Sequence, residues 1–400
     1  LRQIAYQIGV AVAYTYDPNN NRVGMTDHLG ASAWTYNARN QVTAVKDALG
    51  RNLAMAYDKV GNRVSLTYPD KRTAQSAYYK NDWLQALTDP EQGVITYRRD
   101  GVGLTTQIGN PNETFTGMQY DQVNRVLQIA NQGKKLNSGF KYAYDDAGQR
   151  VRVEASYAWR TKGALTTDYT YDGLRRLVKS ADSDSVWNTY TYDRAGNRLN
   201  YATNDDGATN NPKDALEQSY SYNAINQVLT MVETGKRTQT TTFEYDANGN
   251  RIKEEWPGPQ GPQVQGTQYS YDPENRLSAA LNYQGNDKGN IIERDLTTMD
   301  YDGLGRRLVK THDNKADGGG AKRVEYAFDG LDPIADYDTW NPQYTNYYRG
   351  DGNRIALRQN FPTGTQGQRY WMHYDALGSV VGLTKQQGQS DHNYPYGDYG

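Results

Sequence analysis

Four histidines, His28, His312, His373 and His392, are the side chains best suited to metal binding or proton transfer in a chain without cysteine. Their intervals match no zinc-ligand pattern. His373, Asp375, Asp391 and His392 are close in sequence and could converge, but they are read as exposed loop residues. The run from Asp313 to Gly320 (DNKADGGG) resembles a calcium loop only in its carboxylates, lacking alternating ligands and a terminal Glu, and is read as solvated loop. There is no GxSxG elbow, no Gly-rich phosphate loop followed by Lys and no HExxH. Arg63, Arg125, Arg150, Arg198, Arg251, Arg276 and Arg306 recur in a repeated context. They could line a polar ligand surface, though contacts with neighbouring Asp and Tyr are the plainer account.

The elements that position these residues are repeats. The blocks starting at Tyr16 (YDPNNNRV), Tyr57 (YDKVGNRV), Tyr144 (YDDAGQRV), Tyr192 (YDRAGNRL), Tyr245 (YDANGNRI) and Tyr301 (YDGLGRRL) are one motif. Shorter relatives start at Tyr36, Tyr120, Tyr171, Tyr222 and Tyr271, with the apolar residue six rather than seven positions after the Tyr, as if one turn residue were dropped. Weaker copies at Tyr79, Tyr97, Phe328, Tyr348 and Tyr374 bring the total to sixteen, long and short forms alternating. Each unit predicts a β-hairpin. A second large side chain two residues before the Tyr shares its sheet face. Asp or Asn after the Tyr bonds the following backbone, and Gly or Asn four positions on supplies the positive φ that closes the turn. In the long form Gly61, Gly148, Gly196, Gly249 and Gly305 suit a left-handed Gly bulge. The polar stretches Thr203 to Glu217, Trp256 to Gly266 and His312 to Lys322 are expected to decorate one rim.

Composition agrees with an all-β chain of an unusual kind. Apolar residues make up 36% of 400, and 35 of them are Tyr against 5 Phe, which suits walls with one wet side better than a dry centre. A formal charge of −2 excludes a global pull toward nucleic acid or anionic membrane. No apolar run is long enough to span a bilayer. The chain begins at Leu1 without a signal pattern and is read as a segment of something longer.

The YDxxGNR blocks resemble the YD repeats of bacterial Rhs (rearrangement hotspot) proteins, of the C component of Tc insecticidal toxins and of animal teneurins. The resemblance covers nearly the whole chain. It implies a spiralling strip of β-hairpins forming a hollow YD-repeat shell (a β-cocoon), with residues 1–373 as the shell and 374–400 as a core C-terminal motif closing it. Bacterial relatives end in two DPxG-like motifs eighteen residues apart, whose Asp residues serve self-cleavage. Here they correspond to Asp375-Ala376-Leu377-Gly378 and to Gly397-Asp398-Tyr399-Gly400. Both prolines are absent and Asp398 is displaced by one, so Asp375 and Asp398 are the candidate catalytic pair for autoproteolysis in an otherwise non-enzymatic chain.

The resemblance further implies a secreted or cell-surface protein, the structural shell of a polymorphic toxin. Its partners would be a C-terminal toxin cargo in the same polypeptide and the delivery apparatus of a secretion system or Tc-like complex. No cofactor, metal, nucleic acid or membrane span is expected. The competing reading is a teneurin-like cell-surface adhesion or glycan-binding module.

Overall fold

A computed structural model describes residues 3–5, 11–134, 137–157, 160–205, 215–235, 238–258, 263–285, 290–315, 320–350, 353–360, 367–388 and 390–393. Among these there are 34 β-strands and no helix. Wherever pairing is described, each strand runs antiparallel to its neighbour in the chain, so the fold is all-β, a ribbon of successive hairpins. Clustering of contacts divides the chain into two compact units. The first comprises residues 1–138, 299–311 and 322–400, and the second comprises 139–298 and 312–321.

The hairpin turn is the same in long and short repeats, which corrects the expectation of a dropped residue. Tyr57 pairs with Arg63 in a long form and Tyr36 with Val42 in a short one, six positions apart in both, with a bulge immediately before the ring residue. The position four after the ring has positive φ in each, Gly61 at 110° and Asn40 at 59°. What alternates is chemistry. In the long turns at Tyr16, Tyr192 and Tyr245, Asn five positions after the ring donates to the side chain at the next short turn's left-handed position: Asn21 to Asn40 (2.8 Å), Asn197 to Asn226 (2.8 Å) and Asn250 to Asn275 (2.9 Å). The short turns at Tyr36 and Tyr222 place Gln there, the other short turns Arg, and Gln41 donates to the Gly61 carbonyl at 3.1 Å. A Cβ on Gly61 would lie 3.2 Å from that Gln nitrogen, so Gly meets both the left-handed backbone and the close approach.

Four weak copies depart from this turn: Phe328 pairs with Pro333 and Tyr348 with Ala356 instead of with the residue six on, and two others are re-registered. The ring at the turn is Tyr78, paired with Leu84, rather than Tyr79, and Arg99, paired with Thr105, holds the place expected for Tyr97, which sits two residues earlier on the buried face. Degenerate turns leave too little side-chain pattern to fix the register.

The clear repeat turns are closed by the side-chain oxygen of the Asp or Asn that follows the ring, Asn37 and Asn223 serving where the others have Asp. Asp121 accepts from the amides of Val123 (3.0 Å) and Arg125 (2.9 Å), and Asp193 from the Asn197 amide and side chain, both at 2.8 Å. Arg at the residue five after the ring binds the same Asp, as in Arg125–Asp121 and Arg276–Asp272. Arg six after the ring instead packs on the aromatic face: Arg22 lies 4.7 Å from the Trp34 centroid and 5.9 Å from Tyr14, and Arg198 lies 4.7 Å from Tyr220. Six of the seven recurrent arginines are therefore internal to the ribbon, as the plainer account expects, whereas Arg63 pairs with the distant Asp329.

The phenols link one hairpin to the next. Tyr36 donates to the Arg22 carbonyl (2.9 Å), Tyr57 to Val42 (2.9 Å), Tyr120 to Thr105 (2.8 Å), Tyr192 to Leu177 (2.7 Å) and Tyr222 to Arg198 (2.7 Å). In every case the acceptor is the residue six after the preceding turn's ring position, beside its bulge. Phe could fill the ring's space but not make this bond.

The units differ in dryness. The first has an apolar core that includes Met25, Trp34, Leu53, Ile95, Tyr348 and Trp371. In the second, the buried apolar side chains among the described residues are Phe140, Tyr142, Ala155, Tyr190 and Tyr283. The wet-walled expectation from composition thus describes the second unit and not the first. The strand ends flanking the polar stretches, Thr203 and Leu216, Pro257 and Val264, and Asn314 and Ala321, lie at the rim opposite the Tyr turns, while residues 206–214, 259–262 and 316–319 lie outside the described residues.

Two outcomes follow. Tyr192→Phe should cost about 1 kcal/mol by losing one hydrogen bond while keeping the ring, read as faster hydrogen exchange in the strands Leu177–Asp182 and Trp187–Tyr192. The side-chain bonds from Asn21, Asn197 and Asn250 hold the carboxyls of Asp17, Asp193 and Asp246 below their ordinary 3.8. Their stabilisation is complete above that value and lost as pH falls through the lower folded values, so the β circular-dichroism signal should hold to about pH 4 and decay below it.

Candidate functional site

The first unit contains a polar junction between its early and late hairpins. The early turns at the rim opposite the Tyr turns carry Asp27, Asp47, Asp70, Asp89 and Asn112. In three of the carboxylates one oxygen closes the turn and the other reaches across. Asp27 accepts from the Leu29 amide (2.9 Å) and, through its second oxygen, from the Gly303 amide (2.7 Å). Asp70 likewise serves the Arg72 amide (3.1 Å) and the Asn346 side chain (2.6 Å), and Asp89 the Gly93 amide (2.9 Å) and Arg369 (2.8 Å). Asp47 acts through Arg51, which it holds at 2.8 Å and which donates on to the Tyr326 carbonyl. Asn112 donates to Thr384 (3.1 Å) and the Lys385 carbonyl (2.9 Å). The sequence separations of these five contacts fall between 272 and 280 residues, and Arg63–Asp329 at 266 and Tyr14–Gly303 at 289 bracket them, so two stretches of ribbon run alongside each other.

These polar groups are buried. Asp89 is 2% exposed and Asn346 0%. Buried charge is tolerable because it is paired and hydrogen-bonded. Around Asp89 the cluster extends to Arg358, which pairs with Glu91 and whose pKa is held down to about 10 by burial and by the neighbouring Arg72 and Arg369. Tyr68 crosses the same junction, donating to the Tyr347 carbonyl at 3.1 Å with its ring edge-on to Tyr348 at 5.6 Å. Burial pushes the Tyr68 hydroxyl far above the ordinary phenol range, so it remains a donor.

At the C-terminal hairpin, Asp375 is a turn residue of the same type. It accepts from the amides of Leu377 and Ser379, both at 2.9 Å. Asp375 and Leu377 line a cavity of about 530 Å³ with Ile108, Met118, Ile129 and Met372. Asp398 and Gly397 lie outside the described residues, as do the side chains of Asp391 and His392. His373 departs from the loop expectation. It lies in the strand Gln368–Tyr374, is 0% exposed, and its Nε2 is 3.0 Å from Thr384 Oγ1. The equivalent residue before the ring in an early hairpin, Thr35, is exposed, whereas at the end of the chain that face is covered. Among the described residues no group of three His, Cys, Asp or Glu side chains could hold a metal ion.

A family model described as RHS Repeat matches residues 36–73, the stretch holding the Tyr36 and Tyr57 turns. That stretch of 36–73 is where the chain matches the RHS repeat. The chain is similar to the tRNA3(Ser)-specific nuclease WapA of Bacillus spizizenii, 28% identical over 231 residues, covering 58% of this chain and 8% of that protein. It is also similar to Toxin protein Tse5 of Pseudomonas aeruginosa, 25% identical over 338 residues, covering 80% of this chain and 21% of that protein. The chain therefore spans 8% and 21% of the length of these curated relatives. A solved structure of TcdB2-TccC3-TEV aligns over 97% of this chain and 25% of that one, at 15% identity and a TM-score of 0.46.

In this ribbon the Tyr turns were readable from sequence and the opposite turns were missed, although Asp27, Asp47, Asp70, Asp89 and Asn112 form a second series at intervals close to the repeat length. Asp89→Ala should destabilise the junction by about 3 kcal/mol, since it leaves Arg369 buried without its carboxylate, while Lys141→Ala, removing an exposed pair with Glu154, should cost under about 1 kcal/mol. Urea unfolding of the two variants checks the contrast.

Proposed function

We propose that this chain is the non-enzymatic wall of an RHS toxin, enclosing a C-terminal toxin domain of the same polypeptide until a secretion system or Tc-like complex delivers it outside the producing cell. The observation that carries this reading is the junction in the first unit. A ribbon that returns to its own early hairpins, stitched turn after turn by carboxylates, is built to exclude passage rather than to present a catalytic group. The similarity to toxins supports the same reading. In it, residues 1–373 are the wall and 374–400 the closing motif, with Asp375 and Asp398 placed to serve self-cleavage.

The test is protease accessibility of the chain bearing its native C-terminal extension. The extension should survive a trypsin dose that digests the same extension expressed alone, and equal rates of digestion would refute enclosure. Self-cleavage is read separately: Asp375→Asn should abolish the released fragment, and an unchanged fragment pattern removes Asp375 from that role.

A further inference from the structure

His373 has a position that the proposed wall does not explain. Its strand pairs His373 with Gly382, and its Nε2 faces Thr384 Oγ1 at 3.0 Å. That oxygen already accepts from Asn112 at 3.1 Å, and Asn112 Oδ1 accepts in turn from Thr114 Oγ1 at 2.7 Å. An imidazole, a hydroxyl and an amide are therefore strung across the contact between the turn at residues 110–114 and the C-terminal hairpin. Asn112 occupies one of the two lone pairs of the threonine oxygen, so the hydroxyl either donates to Nε2 or accepts from it, according to the tautomer. In both tautomers the neutral ring makes this one bond, through Nε2. Nδ1 is buried with no hydrogen-bond partner among the described groups.

We propose that His373 is an acid-sensitive latch: a proton added to the ring places a cation in a fully buried position beside the Thr384 hydroxyl and frees the C-terminal hairpin from the turn at 110–114. Among the described residues, the charged groups on the packed elements do not offset that cation. Arg369 shares its strand, Arg354 and Arg358 occupy the adjacent strand Asn353–Asn360, and Lys385 follows the strand Val380–Thr384. Of the carboxylates, Asp375 is engaged by its own turn and Glu113 by Lys134 at 2.6 Å. Asp391 and His392 belong to the strand Ser390–Asn393, which pairs through Leu383 and His392.

Burial lowers the ring's pKa from 6.5 to about 4. The released form takes up its proton at the ordinary value while the closed form stays neutral. The contact is accordingly at full strength above 6.5 and weakens as pH falls toward 4, a window above that in which the turn carboxylates titrate. The latch is a property of the first unit and does not depend on any cargo.

Hydrogen–deuterium exchange of the full chain at about pH 7.5 and about pH 5, corrected for intrinsic exchange, tests it. Peptides covering residues 110–114 and 368–384 should open at least about tenfold more at the lower pH, with the strand Trp187–Tyr192 unchanged. In His373→Gln, whose amide takes no charge, the difference should vanish. A native chain without the difference, or a His373→Gln chain that keeps it, overturns the proposal. Should His373→Gln fail to fold, an imidazole titration of the native chain decides: a pKa below about 5.5 supports the latch and one above it refutes it.

Discussion

An isolated two-stranded hairpin is marginal in water, and this ribbon persists because each turn-facing phenol donates to a carbonyl of the hairpin before it. The bond from Tyr192 to Leu177 repeats from Tyr36 to Tyr271 at the same place beside a bulge. The ring packs while its hydroxyl supplies the donor, so one residue couples neighbours both through apolar contact and through direction. That requirement accounts for 35 Tyr against 5 Phe. It also makes stability a matter of nearest neighbours, as in other repeat arrays.

Alternation adds a second coupling along the Tyr-turn rim. A left-handed Asn can be both the backbone solution and a side-chain acceptor, whereas a left-handed Gly leaves its carbonyl open to an approaching Gln. Alternating the two lets each turn engage the next without enlarging the loop. Carboxylates do comparable double duty at the opposite rim, where Asp27, Asp70 and Asp89 each give one oxygen to the turn and one to a distant hairpin. The local demand of the turn thereby leaves a directed acceptor free for tertiary structure.

The dry core of the first unit belongs with that junction. Where two stretches of ribbon meet, side chains such as Trp34, Ile95 and Trp371 are shielded from water, and polar groups there survive only when paired. His373 is the titratable member of this region left neutral, and its neighbour Asp375 shows how one hairpin can hold both a repeat-type turn carboxylate and a buried base.

The amino-acid sequence by itself determined the hairpins, the positive-φ positions at Gly61 and Gly249, the Asp-closed turns and the place of the loops, because each depends on residues within one repeat. It also identified most of the recurrent arginines as internal contacts. The equal length of long and short turns was hidden, since Arg in place of an apolar residue at the paired position looks like an inserted residue. Tyr78 and Arg99 were misplaced for a related reason, weak turns offering little to anchor register. The carboxylate junction and the burial of His373 and Asp375's cavity were decided only by the tertiary structure. Their partners lie some 270 residues apart, and no local periodicity encodes which hairpin will come to rest against which.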